Sequence, residues 1–196
     1  MALFTPTYFS PISQYREMMK FDSISFEIED NFQKQTYRNR CFIYGANGKQ
    51  LLNIPISHSS TTRKKKSKDI IIKDPNWQNK HYKSIESAYN HSPFFEFYKD
   101  DLKIVLNKKY KYLLDINIDT FLFINNALEL NKKHTFSKNY IKSPSNDYRH
   151  LANSKNKLNL NLKKYTQVFD TKFGFIEDLS ILDLLFMEGP NAISYL

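Results

Sequence analysis

The chain has 196 residues, 41% hydrophobic and 15% aromatic, which is enough for one domain with a real core and excludes wholesale disorder. Its one cysteine, Cys41, excludes an internal disulfide framework and any multi-cysteine zinc or iron–sulfur site. The formal charge of +9 rests on 24 Lys against 5 Arg, and with 19 Asn and only 4 Gly this skew follows AT-rich codons, so it reads as a solvated surface and not as a specific nucleic-acid face.

No apolar run approaches the roughly 18 residues of a membrane span. The opening MALFTPTYFSP lacks the basic region, apolar stretch and cleavage site of a secretory signal. The expectation is a cytoplasmic protein.

Leu3 to Pro6 reads as a short strand entering a loop, and Pro11 suits the first turn of a helix carrying Ile12, Tyr15, Met18 and Met19 at helical spacing. Ser23 to Ile28 alternates, with Ile24, Phe26 and Ile28 on one face and Ser25 and Glu27 on the other, a period-2 strand. The runs 40–44 and 50–56 flank Asn47-Gly48, so Arg40 to Ile56 predicts a β-hairpin turning there. Ser57 to Ser67 is a polar loop whose Arg63-Lys64-Lys65-Lys66 run reads as a solvated tip. Ile70 to Ile72 suggests a short strand, ended by a turn at Asp74-Pro75.

Helices are predicted over 76–90, 93–107, 119–130 and 180–187. In the second of these, Phe94, Phe97, Tyr98, Leu102, Val105 and Leu106 should face inward. Residues 131–164 are polar, Lys/Asn-heavy and loop-rich. The class is α/β (mixed): a small mixed sheet with a hairpin, helices packed on it and a mainly helical C-terminal half.

Four groups of residues carry candidate chemistry. His81 can pass a proton near neutral pH, and Trp77 lies one helical turn away as a stacking surface; the alternative is a partly buried histidine packed around Trp77. Arg38 and Arg40 lead into the hairpin strand, where residues two apart point to the same side, and would form a fork for phosphate or carboxylate; the alternative is a salt bridge to Glu27, Glu29 or Asp30. Asn31 and Gln33 follow a strand, where open α/β sheets favour ligands, and Tyr8 in the loop after the first strand could share that rim. Asp147-Tyr148-Arg149 sits in a polar loop placed to close over a site; the alternative is a surface turn. His58, His91, His134 and His150 fit no motif and read as surface residues.

Ser180 and Asp183 read as a helix capping pair, and Cys41 as buried packing. No glycine-rich phosphate loop, Gly-x-Ser-x-Gly or His-Glu-x-x-His motif is present, and His81 has no partner at metal spacing. No cofactor and no metal are expected.

Three ordered blocks resemble the WbqC-like protein family, in particular its short Bacteroidetes-type members. They are Thr5-Pro6-Thr7-Tyr8-Phe9-Ser10-Pro11 with residues 31–52; Trp77-Gln78-Asn79-Lys80-His81-Tyr82 leading to Ser92-Pro93-Phe94-Phe95; and residues 165–190, with Gly174-Phe175, Leu179-Ser180-Ile181-Leu182-Asp183 and Gly189-Pro190. Thr5 stands where the family usually has Gln. The resemblance implies one domain over 1–196 and a setting in surface-polysaccharide (O-antigen type) biosynthesis.

On this reading the protein is a small transferase acting on an activated sugar or its carrier. His81 would be the acid/base, and Tyr8, Asn31, Gln33, Arg38, Arg40 and Trp77 would bind substrate. The small-molecule partner would be a nucleotide-sugar or phosphorylated carrier. The alternative is a non-catalytic binding or scaffold protein of the same pathway. Convergence of the unusual polar and aromatic residues predicts that Tyr8, Arg38 or Arg40, Trp77 and His81 line one cleft.

Overall fold

The computed structural model describes residues 2–57, 65–74, 76–155 and 161–196. His58, Arg63, Lys64 and Pro75 lie outside the described residues, as do positions 156–160 of the polar segment.

The α/β class holds, with parallel and antiparallel pairings divided between two sheets. The larger sheet is wholly parallel, in the order β5 (Lys133–Phe136), β2 (Ser23–Phe26), β1 (Ala2–Phe4), β6 (Asn146–Asp147). Helix α1 (Ile12–Met19) connects the central pair β1 and β2. Both outer strands come from residues 131–164, the segment whose polarity suggested loops. Short edge strands expose one side and need few apolar residues, so hydrophobic periodicity is too weak there to announce them.

The central strands show the opposite departure. Ser25 and Glu27, on the polar face of the alternation, are buried as well. A parallel sheet is covered on both faces, so alternation does not mark an outside. The Glu27 carboxylate is satisfied by the Ser137 hydroxyl at 2.7 Å, the Glu29 amide at 2.9 Å and the Ile141 amide at 3.0 Å.

The hairpin is β3 (Arg40–Gly45) paired with β4 (Gly48–Asn53). It turns at Ala46-Asn47, one residue earlier than expected, because Gly48 itself takes the positive φ of 94° beyond the turn. Ile70 to Ile72 forms no ladder. It follows a single 3₁₀ turn (Ser67–Asp69) and makes only isolated bridges to Ile56 and Tyr112.

Four longer helices pack around these sheets: α2 (Trp77–Tyr89), α3 (Phe95–Asn107), α4 (Leu113–Ala127) and, after the one-turn α5 (Asp170–Phe173), α6 (Ile181–Glu188). Helix α4 begins six residues before its predicted start, after an extended Tyr112 with no side-chain cap to announce it. Phe97, expected inward on α3, is 76% exposed.

Helix α6 is buried along most of its length, including Asp183. Ser180 does cap α6, accepting from the Leu182 amide at 3.3 Å, but Asp183 is no capping partner. Its carboxylate takes the Tyr165 hydroxyl at 2.5 Å, the Tyr89 hydroxyl at 2.7 Å and the Gln167 amide at 2.9 Å. Burial pushes this carboxyl up, and the three donors pull it back. The network ties α2, α6 and the strandless stretch before α5 into one core. Gly189 closes α6 at φ 54°, where an added Cβ would lie 2.4 Å from the Phe94 ring.

Among the described residues no helix is long and apolar enough to cross a membrane.

Candidate functional site at the carboxyl edge of the parallel sheet

Because all four strands run the same way, their carboxyl ends share one edge, and the segments that follow them meet there. Open α/β sheets bind ligands at this edge. Glu29, Asp30, Asn31 and Gln33 follow β2, Tyr140 follows β5, and Arg149, His150 and Asn153 follow β6; together with Arg38 they line a cavity of about 580 Å³. Backbone bonds hold the rim together. The Tyr37 amide donates to Ala152 at 2.8 Å, and the Tyr8 amide donates to Tyr37 at 2.9 Å.

The electrostatics of this pocket are closed pairs. Arg38 is 4% exposed and forms a buried salt bridge with Asp30, which also accepts from the Ser67 hydroxyl. Arg149 meets Asp147 through two parallel bonds, at 2.9 and 2.6 Å, and donates a third to the Ile141 carbonyl at 2.8 Å. That pairing lowers the Asp147 pKa and raises that of Arg149. The guanidinium lies 5.3 Å from the centre of the Tyr140 ring. Glu29 pairs with Lys66 and with Lys68, and both hydrogen bonds lower its pKa. Lys66, read from sequence as part of a solvated tip, is therefore anchored at the pocket's rim, with a backbone bridge to Asn31.

The expected single cleft is not found. Of the predicted site residues, Asn31, Gln33 and Arg38 share this pocket; Tyr8, Trp77 and His81 meet elsewhere, inside the core. Tyr8 is fully buried, Trp77 is 3% exposed and His81 6%. The Tyr8 hydroxyl and His81 Nδ1 are 3.0 Å apart, and the Trp77 ring stands edge-on to both at 5.8 and 5.0 Å. Burial drives the His81 pKa down to about 4, a hydrogen bond to the Asn53 main chain opposing it. Burial likewise raises the Tyr8 hydroxyl.

A sealed, neutral imidazole hydrogen-bonded to a tyrosine completes a packed aromatic cluster, which is the alternative weighed for His81 above. Helical spacing put Trp77 and His81 on one face correctly, but that face is the core face of α2.

The arginine fork also fails to form. Arg38 lies in the turn before β3, not in a strand, so the two-residue spacing does not align it with Arg40. Arg38 takes the salt-bridge role with Asp30, and its Nε is buried with no hydrogen-bond partner among the described residues. Arg40 sits on β3 opposite Asn53, where burial lowers its pKa, and it does not line the pocket.

Tyr140 and His150 went unassigned in the sequence because neither stands in a motif; the signal available was the Asp147-Tyr148-Arg149 run, which does deliver Arg149 to the pocket. A second groove, about 860 Å³, runs between α3 and α4 and is lined largely by apolar side chains including Phe97, Ile104 and Leu122. Its polar lining is Tyr98, Asp101, Asp119, Asn126 and Glu129, which includes three acids and no basic side chain among the described residues. Cys41 is buried and burial raises its thiol well above the ordinary range, so it is packing. No cluster of three or more histidine, cysteine or acidic side chains suited to a metal occurs among the described residues.

A doubly covered parallel sheet with a polar pocket at its carboxyl edge defines the class of the molecule. The model of the WbqC-like protein family matches residues 6–162, and the chain belongs to that family. Comparison with curated proteins and with solved structures found no match.

Proposed function

We propose that this protein is a ligand-binding component of surface-polysaccharide biosynthesis of the O-antigen type, and that its ligand, a saccharide intermediate, occupies the carboxyl-edge pocket. The family supports the pathway. The observation that carries the binding reading is convergence: Asn31, Gln33 and Arg38 meet Tyr140, Arg149 and His150 where the parallel strands end. Two paired arginines fix the pocket's shape before any ligand arrives, which lowers the ordering cost of binding. We take its location to be cytoplasmic.

The transferase reading has one observation in its favour, and it is not His81. His150 places an exposed imidazole in the pocket, the side-chain type most used for proton transfer. On that reading His150, not His81, acts as acid/base, and His150→Ala abolishes turnover while leaving binding in place.

The pathway reading is tested in cells from which the gene has been removed. Loss or shortening of surface polysaccharide, restored by the intact gene, is expected. Unchanged polysaccharide would reject it. Restoration by His150→Ala would favour the binding role over the transferase.

A further inference from the structure

We propose that the carboxyl-edge pocket takes a neutral, hydroxyl-rich group — a pyranose ring or a short uncharged glycan — and not a phosphate or nucleotide. This rests on the reading of that pocket as the ligand site and narrows the ligand to one chemical class.

The first argument is charge. The ionised lining residues are Glu29, Asp30, Arg38 and Arg149, two acids and two bases, so the pocket has no net charge. Both guanidiniums are already paired with a carboxylate, although the buried Nε of Arg38 has no hydrogen-bond partner among the described residues. Arg38 is held by Asp30 within the protein, and Arg149 spends its donors on both oxygens of Asp147 and on the Ile141 carbonyl. A phosphate would have to displace a carboxylate from one of them. At Arg38 that exchange breaks a buried pair and strands Asp30, an expensive step. Any phosphate would also lie against Glu29 and Asp30.

The second argument is what remains unused. A carboxylate accepts up to about four hydrogen bonds and an amide both donates and accepts. Asn31 and Gln33, both exposed, therefore offer amides on one stretch of chain, beside the Glu29 and Asp30 carboxylates, whose oxygens each already accept one bond. Vicinal sugar hydroxyls, each a donor and an acceptor, match such groups; a phosphate, which only accepts, does not match the carboxylates.

The third argument is the platform. Tyr140 is 55% exposed at the pocket's mouth, its ring backed by the Arg149 guanidinium at 5.3 Å. An exposed aromatic face presents apolar area with little entropy to lose, and it suits the C–H face of a pyranose. The two features together, a flat apolar face beside a row of planar polar groups, fit an amphipathic ring whose edge is hydroxylated.

The test uses the full chain, isotope-labelled for amide NMR. Methyl β-glucopyranoside, methyl α-mannopyranoside and diacetylchitobiose are titrated separately, and UDP and inorganic phosphate form the anionic arm. At least one neutral glycoside should shift the amides of Asn31, Gln33 and Arg149, with UDP and phosphate failing to displace it. Tyr140→Ala should weaken that glycoside about tenfold or more. Tyr140 is a half-exposed rim residue, so the variant keeps the fold; Gln33→Ala, fully on the surface, provides a second variant with a smaller loss.

If UDP or phosphate shifts the same amides and displaces the glycosides, the ligand class is wrong and the pocket reading stands. If neither class of probe touches those amides, the proposal and the pocket reading both fall.

Discussion

The buried cluster of Tyr8, Trp77 and His81 and the open pocket around Arg38, Tyr140 and Arg149 are built from the same kinds of side chain. Each holds aromatic rings, and each has a histidine and polar groups within reach. They differ in what surrounds them. The first sits beneath α2 against the hairpin, sealed from water, and its histidine is pushed toward neutrality. The second lies where parallel strands end, open to solvent, with each charge already paired. Unusual polar and aromatic residues thus mark two different requirements, a core that needs an internal polar partner and a rim that needs a polar surface.

The largest effects should fall on the buried cluster. Trp77→Ala leaves a cavity the helix cannot close, and a loss of about 3–5 kcal/mol is expected in urea unfolding. Ligand affinity of the remaining folded protein should be unchanged. A loss of affinity with preserved stability would join the two regions into one site.

Arg38→Ala should cost nearly as much, about 3–5 kcal/mol, because Asp30 is left buried and unpaired. Replacing Arg38 and Asp30 together by apolar residues should recover much of that stability while abolishing binding. This separates the pair's structural part from its part in the pocket.

Acid should report on the cluster through His81, on top of losses from His134, whose pKa burial also lowers, and from the paired Glu29 and Asp147. With the His81 pKa held near 4 against 6.5 for an unperturbed imidazole, the unfolded chain binds a proton that the folded chain refuses. Stability is therefore lost as pH falls from about 6.5 to about 4, by at most about 3 kcal/mol. His81→Gln, which can still bond the Tyr8 hydroxyl, should flatten that loss when unfolding is compared at pH 7 and pH 4. An equally steep loss in the variant would place the titration elsewhere.

Gly48→Val forces a β-branched residue to a φ of 94°, with no neighbour within 4 Å, so the cost is backbone strain of about 1–3 kcal/mol. Since β4 carries Asn53 to His81, amide shifts should spread into the buried cluster and not into the pocket.

The smallest effect on stability, within about 0.5 kcal/mol, is expected for Tyr140→Ala, a surface truncation. It is also the substitution expected to weaken binding most relative to its structural cost.

The fold was legible where apolar residues repeat. The strand–helix–strand opening, the hairpin and α2 stand close to their predicted bounds, since each buries one regular face. Strands β5 and β6 were not legible, because short edge strands carry no such pattern.

The candidate site was half legible. Asn31 and Gln33 follow from the rule that ligands gather after strands, once β2 is recognised. Tyr140 and His150 required the missing strands, for only a sheet that includes β5 and β6 brings the segments after them to the same edge. His81 misled for a related reason. Sequence shows which face of a helix a residue occupies, and burial alone says whether that face meets solvent.

Complementation in cells lacking the gene tests the central claim most directly, with His81→Gln and a Gln33→Ala/Tyr140→Ala double variant expressed to equal levels and surface polysaccharide measured. The account predicts that His81→Gln restores the polysaccharide and the double variant does not. Restoration by the double variant, with failure of a folded His81→Gln, would contradict it.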